Sequence, residues 1–390
     1  GNPEIEAARA AGIPVYKRQD IMAALMHGMY VIAVAGTHGK TTTTALITHL
    51  LREVGADPSY IVGGVMANTR TNAGVGKGDV FVIEADEYDN MFLGLRPNVI
   101  VLTSLEYDHP DFFETPADML ASFRRFLALL PPDGHVFANT DDTLMRDLLA
   151  DFGGTVGSYG FNESAAYRAA NVYVDMDGYT VFDVLARDGN PPDYTRMGTA
   201  RLAMPGRHNV LNALGALFAA SIETVGVGKL MSKQVYDALE TFSGTGRRFE
   251  VRGAHDGVII IDDYAHHPTA IKATLTAARE RYVGHNVWAV WQPHTFSRTR
   301  ELVEEYATAF DAADAVLITD VYAAREPAPS GLTVTEFTAG MVSKIAHRNV
   351  THTPSFDDAL RALEAAHGPS VIVIMSAGDA PQIGIRYLED

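Results

Sequence analysis

Short apolar runs alternate with helical patterns along the first half of the chain. Four of these runs are rich in β-branched residues, as strands buried on both faces are, and they lie at 31–35, 60–62, 80–83 and 99–102. Helical periodicity occurs at 41–54 and 116–130. Strand, helix and strand in succession predict a doubly wound, mostly parallel α/β sheet. Between 171 and 201 apolar and polar residues alternate around Asp-Gly and Gly-Asn-Pro-Pro turns, which predicts a small antiparallel patch.

A glycine-rich stretch at 242–246 follows a helical pattern around 235–239 and marks a boundary. Beyond it, four more buried-strand runs lie at 258–261, 287–290, 315–318 and 371–374. Helical patterns at 269–281 and 301–312 lie between them. This alternation predicts a second, Rossmann-like α/β domain.

These boundaries predict a central domain at 29–243 and a C-terminal domain at 244–390. The stretch 1–28 begins without a methionine, and it carries a helical pattern and then a turn-strand pattern at 12–15. That pair is typical of the end of a unit whose beginning is missing. We therefore expect a truncated chain whose N-terminal domain is almost entirely absent.

Composition excludes several classes of protein. A chain of 390 residues with 47% hydrophobic content is long enough for two or three domains with real cores. Its formal net charge of −17 argues against nucleic acid or an anionic membrane as the main partner. The chain has no cysteine, so disulfides, thiolate metal sites and a cysteine nucleophile are excluded. No apolar run approaches ~18 residues, and we expect a soluble, cytoplasmic protein.

The most informative motif is Gly-Thr-His-Gly-Lys-Thr, which directly follows the apolar run at 31–35. Glycines let the backbone curl so that N–H groups and the next helix N-terminus face an anion, here the phosphates of ATP. The lysine adds a charge at the outer phosphates, and the threonine hydroxyl can bind Mg²⁺. The standard pattern has a glycine where Val34 stands, so a plain strand-to-helix turn is the alternative. The predicted nucleotide-binding residues here are Gly36, Thr37, His38, Gly39, Lys40, Thr41 and Thr42.

Two acidic segments follow predicted strands, at the sheet edge where open α/β sheets bind ligands. Glu84 opens a carboxylate run at 84–89, and with Thr41 it is a candidate Mg²⁺ ligand. His109 stands in a second acidic segment and is a candidate ligand of a second Mg²⁺. The alternatives are a solvated acidic turn for the first segment and a structural histidine for the second.

Asparagines, arginines and histidines supply further candidates. Asn209 and Asn212 follow a Gly-Arg-His sequence, and an asparagine side chain can pair with an adenine edge. For Asn209 a helix cap is the alternative. The C-terminal half gathers arginines and histidines at 246–249, 262–268 and 292–300, which suits an anionic substrate and a carboxylate-bearing co-substrate.

Taken in order, these motifs resemble the ATP-dependent Mur ligases of peptidoglycan synthesis over nearly the whole chain. The similar segments are 36–44, 84–89, His109, 208–212, 262–268 and 294–300. Two positions depart from the family, which often has serine in place of Tyr88 and asparagine in place of Ser104. The roles of those two positions therefore stay open.

The resemblance implies a three-domain enzyme whose first domain holds a UDP group, and two lobes that close over the substrates. It implies that ATP, with two Mg²⁺ ions, converts the lactyl carboxylate of UDP-N-acetylmuramate to an acyl phosphate, which the amine of L-alanine then attacks. The enzyme would be a monomer or a homodimer. The implied catalytic residues are Lys40, His109, His266 and Arg298, with His266 as candidate base. Further nucleotide contacts are implied for Asn212, Arg248 and Asp263, and substrate contacts for Asn72, His208, Tyr264, His266, His267 and Arg298.

Two other functions stay open. A ligase that attaches a recycled tripeptide to the same UDP-sugar shares the lysine loop and the Asp-Asp-aromatic-Ala-His-His-Pro sequence. The segments 247–249 and 321–324 are more similar to the alanine-adding enzyme. A nucleotide-binding module without ligase turnover is the alternative from another class.

Overall fold

Two β-sheets, each covered by helices, organise the chain in this computed structural model, which describes residues 2–110, 112–187, 193–222 and 233–389. The first sheet has the strand order β10-β9-β8-β7-β6-β5-β1-β4-β2-β3. Its strands are β1 (Tyr30–Ala35), β2 (Ser59–Met66), β3 (Thr71–Gly74), β4 (Val80–Glu84), β5 (Val99–Leu102), β6 (His135–Asn139), β7 (Thr155–Gly160), β8 (Tyr167–Val174), β9 (Thr180–Arg187) and β10 (Tyr194–Leu202). The helices of this part are α1 (Pro3–Ala10), α2 (Arg18–Leu25), α3 (Lys40–Glu53), α4 (Pro116–Leu127), α5 (Thr143–Leu149), α6 (Arg207–Ala220) and α7 (Lys233–Thr241), with a 3₁₀ segment at Tyr88–Gly94.

The centre of this sheet is parallel, with β1 paired to β4 on one side and β5 on the other. The four strands predicted here are confirmed, and the helix predicted at 116–130 ends earlier, at Leu127. Strands β6 and β7 were missed, because their polar and glycine residues hide the apolar pattern. The antiparallel patch is confirmed as β8 to β10, but it is not separate, since β8 pairs in parallel with β7. The predicted Gly-Asn-Pro-Pro turn lies outside the described residues.

Apolar side chains cover both faces of the first sheet. One cluster joins α3 and α6 to β1, where Leu46 and Leu214 are fully buried. The other joins α4 to the opposite face through Phe123 and Phe126. Helices packed on both faces of the sheet therefore fix the positions of the carboxyl ends of β1, β4 and β5.

The second sheet has the strand order β11-β12-β16-β13-β14-β15, and all its pairs are parallel except β11 with β12. Its strands are β11 (Glu250–His255), β12 (Val258–Asp263), β13 (Asn286–Gln292), β14 (Ala315–Ile318), β15 (Val350–His352) and β16 (Ser370–Ser376). Its helices are α8 (Pro268–Arg281), α9 (Phe296–Glu301), α10 (Val303–Tyr306), α11 (Val334–Val342), α12 (Phe356–Leu363) and α13 (Pro381–Glu389). The four strands predicted in this half are confirmed.

The helix predicted at 301–312 is wrong in its position. Helix α9 begins earlier, directly after Thr295, whose positive φ of 64° turns the chain out of β13. The backbone leaves helical geometry at Leu302, and the short α10 ends at Tyr306. Regular helix therefore covers the side chains from Phe296 to Arg300, which the sequence pattern had left outside it.

The segment before the first sheet has two helices. Helix α1 buries none of its residues, and the strand predicted near 12–15 is absent from this described stretch, where Ile13 is 58% exposed. Helix α2 is different, because Met22 and Met26 pack into the core of the first sheet. Among the described residues, no helix combines the length and apolarity needed to span a bilayer.

Candidate active site

The loop between β1 and α3 is built around two glycines. Gly36 has φ 135° and Gly39 has φ 83°, values that L side chains rarely adopt. A Cβ on Gly39 would lie 2.3 Å from Asn212 Oδ1, and a Cβ on Gly36 would lie 2.4 Å from Thr103 Oγ1. The loop therefore packs closely against α6 and the end of β5. Gly39 is also the N-cap of α3, and the first N–H groups of a helix have no acceptor within that helix.

Lys40 is held inside this loop by a carboxylate. Its Nζ donates to Gly36 O at 2.6 Å and to Glu87 Oε1 at 2.9 Å. Burial lowers the pKa of Lys40, but the charges of Glu87 and Glu84 outweigh it and raise the pKa overall. Burial raises the pKa of Glu87, but Lys40 lowers it overall. The pair is therefore ionised, with a cation ready at the mouth of the loop.

Thr41 and Glu84 lie side by side, as the sequence predicted. Thr41 Oγ1 donates to Glu84 Oε1 at 3.1 Å, and Glu84 Oε2 accepts from the Gly63 N–H at 2.7 Å. Arg248 from the second half of the chain reaches Thr41 Oγ1 at 3.3 Å. These residues border a cavity of about 690 Å³, whose lining also includes Arg18, Asn72, Asp86, Arg247 and Tyr264.

His109 lies near a different carboxylate from the one at Thr41. Its Nε2 is 3.6 Å from Glu87 Oε1 and 3.8 Å from Asp108 Oδ2. Burial lowers the pKa of His109, but the nearby carboxylates of Glu87 and Asp108 raise it overall. The second carboxylate oxygen of Glu87 is buried without a hydrogen-bond partner. Carboxylate oxygen is thus available to a cation at two neighbouring positions, Glu84 and Glu87.

A second cavity, of about 180 Å³, lies between the two sheets. Predicted nucleotide residues from both halves line it, and these are His38, Gly39, Thr42, Asn212, Arg248 and Asp263. Thr37 stands beside it and is held by Glu106, whose backbone N–H donates to Thr37 Oγ1 at 2.9 Å. His208 lines this cavity and not the larger one that Asn72 and Tyr264 line. Burial lowers the pKa of His208 to about 4.

The two asparagines of α6 form a chain of hydrogen bonds. Asn209 lies within the first turn and its Nδ2 donates to Pro205 O at 2.7 Å, so it is not the helix N-cap, which is Gly206. Asn212 Nδ2 donates to Asn209 Oδ1 at 3.1 Å. This leaves Asn212 Oδ1 directed at Gly39, inside the smaller cavity.

Asp263 and His266 follow β12 and are fixed by backbone groups. The Asp263 oxygens accept from the N–H groups of Phe249 and Ala265, each at 2.7 Å. His266 Nδ1 lies 2.9 Å from Tyr264 O. A carbonyl oxygen only accepts, so Nδ1 carries the proton and Nε2 carries the lone pair. Burial and the charge of Arg298 hold the pKa of His266 well below its usual value, which leaves a neutral base.

Arg298 joins the two halves of the molecule. Its Nε and Nη2 donate to Asp108 Oδ1 at 3.1 and 2.9 Å, and both side chains are 7% exposed. Burial would raise the pKa of Asp108, but the Arg298 charge holds it well below its usual range. His267 also bridges the halves, with its ring 4.9 Å from that of His38.

Residues 34–220 match the Mur ligase middle domain, and residues 247–378 match the Mur ligase glutamate ligase domain. A protein of Renibacterium salmoninarum named UDP-N-acetylmuramate–L-alanine ligase is 41% identical, and the alignment covers 100% of this chain and 80% of that one. The chain belongs to the Mur ligase family.

Two solved structures of ligases are similar to this chain over its full length. The UDP-N-acetylmuramate–alanine ligase of Thermotoga maritima is similar with a TM-score of 0.78 and 26% identity, over 100% of this chain and 82% of that one. A murein peptide ligase of Psychrobacter arcticus gives a TM-score of 0.68 and 27% identity, over 100% and 83%. The α/β fold with mostly parallel sheets, expected from the sequence, is that of this family.

Sequence reasoning missed three carboxylates, Glu87, Glu106 and Asp108, which pair with Lys40, His38 and Arg298. All three stand in the acidic segments that the sequence singled out, but nothing local distinguishes a carboxylate that turns inward from its neighbours. The signal that could have found them is polar pairing, because the buried or half-buried side chains of Lys40, His38 and Arg298 each need a polar partner nearby.

Proposed function

We propose that this chain is the Mur ligase that joins L-alanine to the lactyl carboxylate of UDP-N-acetylmuramate at the expense of ATP. One observation carries the proposal. The glycine-lysine loop of the first half faces Arg248 and Asp263 of the second half across one cleft, in a chain that is 41% identical over its full length to an enzyme with that name. The domains proposed at 29–243, as a P-loop-type ATPase domain, and at 244–390 each supply one wall of the cleft.

ATP would lie in the smaller cavity with its phosphates on the loop. Gly36 and Gly39 shape the backbone of the loop. On binding of ATP, the Lys40 ammonium would leave Glu87 and contact the outer phosphates instead. Asn212 offers its amide to the adenine, and Asp263 its carboxylate to the ribose. Arg248 stands between the two cavities and would contact the nucleotide on one side and the acidic substrate on the other.

The donor set fits two Mg²⁺ ions. Hard oxygen ligands are what Mg²⁺ prefers, and Thr41 with Glu84 would hold one ion. His109 would hold the second beside Glu87, whose unpartnered buried oxygen is consistent with a cation there. When bound, such ions neutralise the charge that builds up on the transferred phosphoryl group.

The larger cavity would take the sugar carboxylate. Asn72 and Tyr264 line it together with Arg18 and Arg247, so an anionic substrate meets positive charge in an otherwise acidic protein. The carboxylate oxygen attacks the γ-phosphorus of ATP, ADP leaves, and an acyl phosphate forms. The alanine amine then attacks the acyl carbon and phosphate leaves. His208, His267 and Arg298 are the remaining proposed substrate residues.

Attack by the amine requires that the alanine ammonium lose a proton. We assign this role to His266, since its Nδ1 is committed to Tyr264 O and its Nε2 keeps a lone pair. A pKa well below the usual value keeps His266 neutral at pH 7. The low basicity also favours rapid release of the proton afterwards. Arg298, beside it, would receive the carboxylate of alanine.

The test is phosphate release by purified protein given ATP, Mg²⁺ and UDP-N-acetylmuramate, with either L-alanine or the tripeptide as second substrate. We expect phosphate release when L-alanine is the second substrate and none when the tripeptide is. Release with the tripeptide alone would favour the recycling ligase, a function that the similarity to a murein peptide ligase keeps as the second candidate. No ATP-dependent product with either would favour a nucleotide-binding module without turnover. We place the enzyme in the cytoplasm, where ATP is made, and its state as monomer or homodimer stays a prediction.

A further inference from the structure

Three side chains from both halves of the chain meet at the rim of the smaller cavity. They are His38 from the glycine-lysine loop, Glu106 from the segment after β5, and His267 at the start of α8. Glu106 Oε2 lies 3.1 Å from His38 Nε2 and 3.3 Å from His267 Nδ1. One ligand atom from each residue lies within 4.8 Å of the others. Among the described residues, no other group of three or more histidine or acidic side chains lies close enough together to hold one ion.

His267 is the observation that points to a ligand. Its side chain is 7% exposed, yet neither ring nitrogen makes a hydrogen bond. Its Nδ1 lies within 3.3 Å of Glu106 Oε2, but the two atoms do not form a hydrogen bond. A buried imidazole normally has a hydrogen-bond partner for at least one nitrogen, because a buried polar atom without a partner destabilises the folded state. An ion between the three side chains would supply that partner.

Two of the three separations agree with a tetrahedral ion, and the third is within 4.8 Å. Zinc binds histidine nitrogen and carboxylate oxygen at about 2.0–2.2 Å, so two ligand atoms of one tetrahedral site lie roughly 3.3 Å apart. The two distances from Glu106 Oε2 match that separation. Two histidines and one carboxylate are a known zinc donor set that leaves a fourth position for water. Imidazole favours zinc and neighbouring transition metals over Mg²⁺, which prefers oxygen.

We propose that His38, Glu106 and His267 form a transition-metal site of the Zn²⁺ class, separate from the two Mg²⁺ positions and bridging the two halves of the enzyme. The Mg²⁺ positions use Thr41, Glu84 and His109, none of which belongs to this group. Because His38 comes from one lobe and His267 from the other, a bound ion ties the lobes together. The site therefore belongs to the closed arrangement.

The test is Co²⁺ titration of the chelator-treated, nucleotide-free full chain, followed by displacement with Zn²⁺. Four-coordinate Co²⁺ absorbs visible light much more strongly than six-coordinate Co²⁺, so the spectrum reports geometry. We expect one strongly absorbing ion per chain, and an affinity at least about tenfold weaker in His267→Gln and in Glu106→Gln. His208→Gln is the matched control, a buried histidine of the same cavity outside the group, and it should bind as the parent does.

Several outcomes would overturn the proposal. The first is a folded parent that binds neither Co²⁺ nor Zn²⁺. The second is parental affinity in both ligand variants. The third is loss of the signal in His109→Gln, which would place the ion at a Mg²⁺ position. Circular dichroism checks folding, and if His267→Gln does not fold, the half-exposed Glu106→Gln decides alone. Turnover is not measured, so failure here leaves the ligase activity untouched.

Discussion

At the scale of single residues, Asp262 shows what burial of a charge does to this protein. Its carboxylate is at the end of β12, with Oδ1 buried, lacking a hydrogen-bond partner, and 3.6 Å from Arg247 Nε. Burial raises the pKa of Asp262 to about 6, against the opposing charge of Arg247. A carboxyl that holds its proton more tightly when folded stabilises the fold below about pH 4, and that contribution is lost as the pH rises through about 6.

We therefore expect Asp262→Asn to stabilise the protein more at pH 8 than at pH 4, by about 1–3 kcal/mol, since one pKa unit is worth about 1.4 kcal/mol. Urea unfolding of parent and variant at both pH values measures this difference. A difference in stability that is the same at both pH values would show that Asp262 is not responsible. Asp256→Asn, at an exposed carboxylate nearby in sequence, is the matched control for the loss of a carboxylate as such.

At the scale of elements, strands β2 and β4 position Glu84, because Gly63 of β2 has no side chain and leaves room for the Glu84 carboxylate. The strands pair in parallel up to Ile61 and Ile83, and the chain of β2 then passes Gly63 over the Glu84 carboxylate. A Cβ on Gly63 would lie 2.3 Å from Glu84 Oε2. Gly63→Ala should thus push Glu84 away from Thr41 and reduce turnover by about 10- to 100-fold.

The measurement is ligase rate against Mg²⁺ concentration, and the loss should be largest at low Mg²⁺. Gly153→Ala serves as the control, because a Cβ there meets no atom within 4 Å. Normal Mg²⁺ dependence in Gly63→Ala would contradict the assignment of Glu84 to the metal.

The same scale shows what the sequence could predict. Strands such as β1, β5 and β16 were identifiable because their apolar, β-branched runs are buried on both faces. Strand β7 contains two glycines and a serine, and only its pairing with β6 and β8 makes it a strand. That pairing also makes the antiparallel patch part of the large sheet, and pairing between distant segments leaves no local pattern.

The site was predictable to a similar extent. Gly39, Lys40 and Glu84 lie in motifs whose spacing carries the chemistry, so they could be named in advance. Glu106 could not be named in advance, because its neighbours His38 and His267 come from two lobes and lie close to it only when those lobes pack together.

At the scale of the whole molecule, the Arg298–Asp108 ion pair holds the two halves together. Both groups are buried, so removing one partner leaves an uncompensated charge. Arg298→Met should destabilise the protein by about 3–5 kcal/mol. Asp108→Asn combined with Arg298→Met should recover much of that loss, since no lone charge stays buried.

Equilibrium unfolding of the two single variants and the double variant measures the coupling. Additive losses would contradict the role given to this pair. Arg300→Met is the matched control, because Arg300 lies on the same helix and is exposed.

The proposed reaction requires that the two lobes close around ATP at the glycine-lysine loop. The most direct measurement is a crystal structure of the protein with a non-hydrolysable ATP analogue and Mg²⁺. We expect the triphosphate on Gly39 and Lys40, an ion at Thr41 and Glu84, and the ribose at Asp263. A nucleotide bound away from this loop, with no ion near Glu84, would contradict the account.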